Sequence, residues 1–142
     1  MTSLLTINSK IEKLKEYLSY LKSYQKSSLQ ELENDYTLQG AVLHYLQLTI
    51  ECTIDIGELL ISELKLRKPE GAREVFKILA ENKILPENFA QNFSPVAGFR
   101  NIIVHEYAEV DMKKVHPFLE NDLEDFEHFS QYIAEYLLKR KF

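Results

Sequence analysis

Apolar residues recur at helical spacing along almost the whole chain, and this pattern limits what the chain can fold into. Only four glycines and four prolines interrupt it, and no Asn-Gly or Asp-Gly pair signals a β-hairpin. No internal repeat and no linker divides the sequence. We therefore predict an all-α fold, an up-and-down helical bundle of the four-helix type with additional short helices and short connections.

Local signals predict where the helices of the first half begin and end. Ser9 and Glu12 are spaced as a capping box, so the first helix is predicted to begin at Ser9. The serines at 27 and 28 should interrupt it, and a short turn should cover Leu29 to Glu33. A long helix is predicted from about Tyr36 to Leu64. Because it is apolar on most sides, we expect it inside the bundle or at a subunit interface.

Prolines and capping residues predict the segments of the second half. We expect four of them, opened in order by Pro69, by Pro86, by Ser94 with Pro95, and by Asp111. Ser94 should cap the third segment. Pro95 should be its first helical residue, because that position does not need the N–H that proline lacks. Pro117 should limit the fourth segment. A last helix with a phenylalanine-rich buried side should complete the bundle.

Length and composition suit one domain in a reducing compartment. The 142 residues are 45% hydrophobic and 27% charged, and a chain of this length can bury roughly 68–70% of its unfolded surface. We expect residues 1–142 to form a single helical domain. The N-terminus lacks the features of a signal peptide, and no apolar stretch approaches the ~20 residues of a membrane helix. The single cysteine, Cys52, excludes an intrachain disulfide. A cytoplasmic protein with no membrane association is predicted.

The charge balance restricts the kind of partner. The net charge of −5 counts against binding nucleic acid through an extended basic face. A narrow basic cleft that acts on RNA remains compatible with it. The histidines at 44, 116 and 128 have no metal-ligand spacing with one another, so neither a metal site nor a cofactor is expected. Cys52 lies in an apolar run and is interpreted as a buried structural thiol.

Chemically capable side chains are concentrated near the end of one apolar helix. Arg100 and Asn101 are followed by His105 and then by Tyr107. This order resembles the motif of the HEPN superfamily, in which an arginine and a polar residue precede a histidine. More narrowly it resembles the HepT toxins, whose version is Arg, four residues, His, one residue, Tyr. The run from Leu38 to Gly57 and the later elements at 73–76 and 110–111 also resemble that family, so the similarity covers nearly the whole chain.

The resemblance implies a fold, an activity and partners. HepT-like proteins are helical ribonuclease toxins that form two-fold dimers. Their partner is a minimal nucleotidyltransferase antitoxin, which transfers AMP to the tyrosine of the motif. Here that acceptor would be Tyr107, and a bulky anionic nucleotide beside Arg100 would occupy the phosphate site and repel RNA. The runner-up hypothesis is a non-catalytic helical adaptor, since related helical bundles resemble substrate-binding partners of nucleotidyltransferases. The complete set of Arg100, His105 and Tyr107 favours the toxin, because an adaptor has no need of all three.

The chemistry of RNA cleavage fits these residue types. RNA can be cut without a metal ion because its own 2′-hydroxyl attacks the adjacent phosphate. Histidine suits the proton transfers, since its unperturbed pKa is about 6.5. Arginine suits the charge that develops on phosphorus, since its fork grips two oxygens and stays charged. His105 and Arg100 are the predicted catalytic residues, with Asn101, Glu51 and Asp55 as possible supporting groups.

Helix geometry adds a constraint on how Arg100 and His105 meet. Residues five apart point roughly 140° away from each other around a straight helix. Either the helix loosens near its end, or a second copy of the chain completes the site. A two-fold dimer would bring two arginines and two histidines to one cleft. The resemblance favours this second alternative.

Overall fold

The computed structural model describes residues 2–105 and 110–140, and every element within those ranges is an α-helix. In chain order the helices are α1 (Thr2–Ser23), α2 (Leu29–Asn34), α3 (Tyr36–Glu63), α4 (Ala72–Glu81), α5 (Glu87–Phe93), α6 (Pro95–His105), α7 (Met112–Asn121) and α8 (Leu123–Arg140). The predicted all-α bundle is thereby confirmed. None of these described helices combines the length and apolarity needed to cross a lipid bilayer.

The long helix α3 lies at the centre of the bundle. It contacts α1, α2, α4 and α6 along its length, which explains why it is apolar on most sides. Its buried polar side chains are satisfied within the helix. The Thr49 hydroxyl donates to the carbonyl of Tyr45 at 2.6 Å, and the Thr53 hydroxyl donates to the carbonyl of Thr49 at 2.8 Å. These bonds remove the cost of burying two hydroxyl groups.

A glycine lets α4 lie close to α3. Gly57 is buried in the middle of α3, and a Cβ atom at that position would overlap the side chain of Val75 on α4. On its other side α4 contacts α5 and α6. The first turn of α4 is therefore held between the central helix and α6, the helix that carries the motif.

Aromatic packing fixes the helices of the second half. Phe93 of α5 contacts Phe76 of α4 and Phe129 of α8, with ring centroids 5.0 and 5.6 Å apart. Phe99 of α6 stacks on Phe118 of α7 at 4.9 Å with nearly parallel rings. Such pairs contribute about 0.5–1.5 kcal/mol beyond the area that they bury. The phenylalanine-rich side of the last helix is core, as predicted.

Several predicted boundaries are confirmed and one start is wrong. Ser28 caps α2 through a capping box with Glu31, and the side chain of Asp111 caps α7. The first helix, however, begins at Thr2 rather than at Ser9. The apolar stripe of α1 extends back to Ile7, which is fully buried, and this burial stabilises helical structure before the expected cap.

Two predictions for the second half need correction. Ser94 is not an N-cap, because its backbone is helical and its hydroxyl donates to the carbonyl of Gln91. The helices α5 and α6 therefore follow each other directly. Pro117 does not limit its helix either, since it lies inside α7. The half-buried Phe118 and the fully buried Leu119 follow the proline, and their packing outweighs the loss of one backbone hydrogen bond.

Candidate active site

A pocket of about 370 Å³ lies where α6 meets α3 and the start of α4. Arg100 and Asn101 line it from α6, and Glu58 lines it from α3. The opposite wall is formed by the loop and first turn of α4, from Pro69 to Val75. Two of the predicted site residues thus share one concave surface, which is the usual setting of a catalytic group.

Arg100 lacks stabilising partners in the described part of the chain. It is half-buried, and its Nε atom is buried without a hydrogen-bond partner among the described residues. A buried donor without a partner costs about 1–3 kcal/mol. Arg100 also forms no ion pair with any residue that the structure describes. Arg100 is thus the cationic side chain of this pocket that an entering anion would meet.

The structure describes only part of the predicted motif. His105 is the last residue of α6, and its backbone continues the helix without interruption from Pro95. Its side chain lies outside what the structure describes, and so does the whole of Tyr107. Because α6 is regular up to His105, the helix does not loosen between the two predicted catalytic positions. The angular separation of roughly 140° between positions 100 and 105 therefore stands.

The two carboxylates proposed as supporting groups have other partners. Asp55 is exposed and forms an ion pair with Lys10 of α1 at 3.4 Å. Glu51 accepts a hydrogen bond from Gln47, one turn earlier on α3, at 3.2 Å. The carboxylate of α3 that reaches the Arg100 pocket is Glu58, which the sequence reasoning missed. The missed signal is a spacing of seven residues, which puts Glu58 on the same face of α3 as Glu51.

An ion-pair cluster holds the wall of the Arg100 pocket in place. Arg67 donates to Glu74 at 2.8 Å and to Glu81 at 3.0 and 3.1 Å. These hydrogen bonds lower the pKa of both carboxyl groups, so the cluster stays charged at neutral pH. Because Arg67 precedes the loop and both glutamates lie on α4, the cluster fastens the loop at Pro69 to Ala72 against that helix.

Other reactive or metal-binding groups are few in the described ranges. The buried thiol of Cys52 donates to the carbonyl of Lys10 at 3.1 Å, and burial raises its pKa to about 11. It is protonated at neutral pH and is a poor nucleophile. Across residues 2–105 and 110–140, no group of three or more His, Cys, Asp or Glu side chains is arranged to hold a metal ion.

The buried, unpartnered Nε of Arg100 predicts that this residue does not stabilise the fold. Replacing Arg100 with Met keeps the apolar stem and removes the unpaired donor. We expect the free energy of unfolding, measured by urea denaturation, to stay constant or to rise by up to about 1 kcal/mol. Arg67→Met is the matched control and should destabilise the protein, since it breaks the contacts with Glu74 and Glu81. A clear loss of stability in Arg100→Met would show that the arginine is structural.

Comparisons with known proteins find matches that cover most of this chain. Residues 7–133 fit the family model for Ribonuclease HepT-like proteins. The chain is 34% identical over 99 residues to the mRNA nuclease HepT of Shewanella oneidensis. The aligned region covers 70% of this chain and 74% of that protein. It is 30% identical over 132 residues to the tRNA nuclease HepT of Aphanizomenon flos-aquae. That aligned region covers 93% of this chain and 90% of the relative.

A solved structure agrees with these relatives. The fold superposes with a TM-score of 0.81 on a tri-AMPylated HEPN toxin of Shewanella oneidensis in complex with an MNT antitoxin. The two chains are 30% identical, and the match covers 91% of this chain and 96% of that one. The family model ends on Ile7 and Ile133, which are both core residues. Because it includes the whole buried framework between them, this protein belongs to the HepT-like ribonuclease family of HEPN proteins.

Proposed function

We propose that this protein is the toxin of a toxin–antitoxin pair and a metal-independent endoribonuclease. Arg100 and His105 cleave RNA in a cleft between two copies of the chain, and AMP transfer to Tyr107 neutralises the toxin. One observation carries the proposal: Arg100, the arginine of the Arg-x4-His pattern, lines a pocket with a buried Nε that has no partner among the described residues. The similarity to two HepT nucleases supports the same reading.

The chemistry needs only groups that the motif supplies. A neutral His105 accepts the proton of the RNA 2′-hydroxyl while that oxygen forms a bond to the adjacent phosphorus. Arg100 holds two non-bridging oxygens and stabilises the added negative charge. The bond from phosphorus to the 5′-oxygen then breaks, and the same His105, protonated in the first step, passes its proton through a water molecule to that oxygen. The products are a 2′,3′-cyclic phosphate and a free 5′-hydroxyl.

The regularity of α6 supports a site built by two copies. A single straight helix carries positions 100 and 105 on sides that are roughly 140° apart. A two-fold axis near the end of α6 would place the His105 of one copy opposite the Arg100 of the other. It would also bring two arginines together, so positive charge would be concentrated locally in a chain whose net charge is −5. That concentration answers the objection that an acidic protein repels RNA.

The proposed control of the toxin follows from the position of Tyr107. The solved relative is tri-AMPylated and bound to an MNT antitoxin, which supports a minimal nucleotidyltransferase as the partner here. Tyr107 follows His105 by two residues. Each AMP unit adds a phosphate with a negative charge, and such a group next to Arg100 would compete with the substrate and repel further RNA.

The nuclease is tested by cleavage in the presence of a chelator. The purified protein should cut RNA with EDTA present, and its expression should arrest growth. His105→Ala should lower the cleavage rate by about 10²–10⁴-fold and Arg100→Ala by about 10²–10³-fold, because each removes one step of the chemistry. The control His128→Ala changes an exposed histidine of α8 and should leave both readouts unchanged. If the native chain neither cuts RNA nor arrests growth, the adaptor hypothesis replaces the nuclease.

The tyrosine is tested by mass spectrometry after co-expression with the proposed partner, a minimal nucleotidyltransferase from the same organism. Peptides that contain Tyr107 should gain the mass of one or more AMP units, and growth should recover. Tyr107→Phe should carry no AMP and should arrest growth even with the partner present. Tyr36→Phe removes a tyrosine that is 81% exposed and should be modified like the native chain. Modification at another tyrosine, or unmodified peptide alone, would refute this role.

A further inference from the structure

A second concave surface lies on the other side of α4, and the proposed chemistry does not use it. This groove of about 1100 Å³ runs between α4, α5 and α8. Arg73, in the first turn of α4, lines this groove, whereas Ala72 and Val75 of the same turn line the Arg100 pocket. We define the groove by the residues that carry the argument, namely Arg73, Lys77, Lys83, Lys139, Tyr132 and Tyr136.

Arg73 lies directly against the motif helix. A Cβ atom built on Gly98 of α6 would lie 2.5 Å from Nη2 of Arg73, and the next two nearest atoms also belong to its guanidinium group. The absence of a side chain at Gly98 is thus what allows the guanidinium to rest on α6. Arg73 is exposed, and no hydrogen bond or ion pair joins it to another residue in the described part of the chain. Its planar fork of donors is therefore available.

Helical register puts this arginine on the side of α6 that carries position 105. Gly98 and His105 are seven residues apart, which is about 20° short of two full turns and roughly 10 Å along the axis. Arg100 faces the smaller pocket on the other side of α4's first turn. Two arginines that have no partner within residues 2–105 and 110–140 therefore flank the motif helix. Arg73 is the one on the helix face of position 105, the proposed general base.

The charges along the groove favour an anionic strand that leads away from α6. Lys77 follows Arg73 by one turn on the same face of α4, a rise of about 6 Å, which is comparable with the spacing of successive phosphates. Of the glutamates that line the groove, Glu74 and Glu81 are already bound by Arg67. When Arg67 is included, five cations stand against four carboxylates along the groove, an excess of one positive charge.

The far wall of the groove supplies aromatic surface. Tyr132 and Tyr136 are half-buried on one face of α8, one turn apart. Tyrosine rings beside cationic side chains are the combination on which unpaired bases stack while their phosphates are held. A protein partner would bury apolar side chains of this wall, but it would not explain a row of cations that begins at the motif helix.

We propose that this groove binds the single-stranded RNA segment that flanks the scissile phosphate, with Arg73 as a positioning residue. Arg73 would grip a phosphate beyond the one that is cleaved and so set the register of the strand on α6. The proposal rests on the proposed ribonuclease function and adds a binding surface to it. It makes the substrate a strand that extends past the cut, rather than an isolated dinucleotide.

Binding without cleavage is the first test. In a His105→Ala background, a fluorescein-labelled single-stranded oligoribonucleotide of about a dozen nucleotides is titrated with protein at several salt concentrations. Arg73→Gln should weaken binding roughly tenfold and lower the salt-dependence slope by about 1. Arg73→Lys should restore part of the affinity. Lys26→Gln removes an exposed cation outside the groove and should have little effect.

Gly98→Ala tests the contact with Arg73 without a change of charge. The added methyl group must displace the guanidinium, so RNA binding should weaken as it does in Arg73→Gln, and the double variant should be no weaker than either one. Alanine favours the helix over glycine, so the melting temperature should not fall. In the cleavage assay, Arg73→Gln and Gly98→Ala should raise KM while kcat stays within about twofold.

The outcomes separate this inference from the proposed function. If Arg73→Gln and Gly98→Ala bind the oligoribonucleotide like the parent protein, the groove is not an RNA surface. If they instead lose binding of the nucleotidyltransferase and keep RNA binding, the groove belongs to that protein partner and the inference is equally refuted. If the native chain cuts no RNA while binding still depends on Arg73, the ribonuclease fails and the RNA groove stands.

Discussion

The close packing of α4 on α3 is the constraint on which the candidate site depends. Gly57 has no side chain at the crossing, so Val75 of α4 lies against the backbone of α3. The first turn of α4 then separates the Arg100 pocket from the larger groove. The Arg67 cluster with Glu74 and Glu81 holds the preceding loop in register. A larger residue at position 57 would displace α4 and so change its contribution to the lining of both the Arg100 pocket and the larger groove. Such overpacking costs about 1–3 kcal/mol in stability.

The second constraint is the charge of the protein. With a net charge of −5, the chain cannot attract RNA over its whole surface. Two arginines, one on each side of the first turn of α4, have no hydrogen-bond or ion-pair partner among the described residues. Arg100 keeps a buried Nε without a described partner, and Arg73 rests on Gly98. Within the described ranges neither arginine forms an ion pair with a carboxylate, although Glu58 lines the Arg100 pocket, and this is expected where the anion is a substrate.

Sequence reasoning predicted the all-α fold correctly, and it failed where long-range packing decides the helix boundaries. Helical spacing predicted α3 and its central place, because a helix that is apolar on most sides must be enclosed. Local rules failed at Ser9 and Pro117, where burial of Ile7 and Leu119 outweighs capping and proline preferences. Neither Glu58 nor Arg73 was identified. The contact of Arg73 with Gly98 joins residues on two helices, and no periodicity within one helix can reveal such a contact.

The central claim is that Arg100 of one copy and His105 of the other act on the same phosphate. Its most direct test mixes two inactive variants, Arg100→Ala and His105→Ala, by co-expression or by joint refolding. Mixed dimers contain one site in which both groups are intact, so RNA cleavage should return to about a quarter of the native rate if copies pair at random. A mixture that forms mixed dimers but stays as inactive as either variant alone would show that each copy uses its own pair, which would contradict the account.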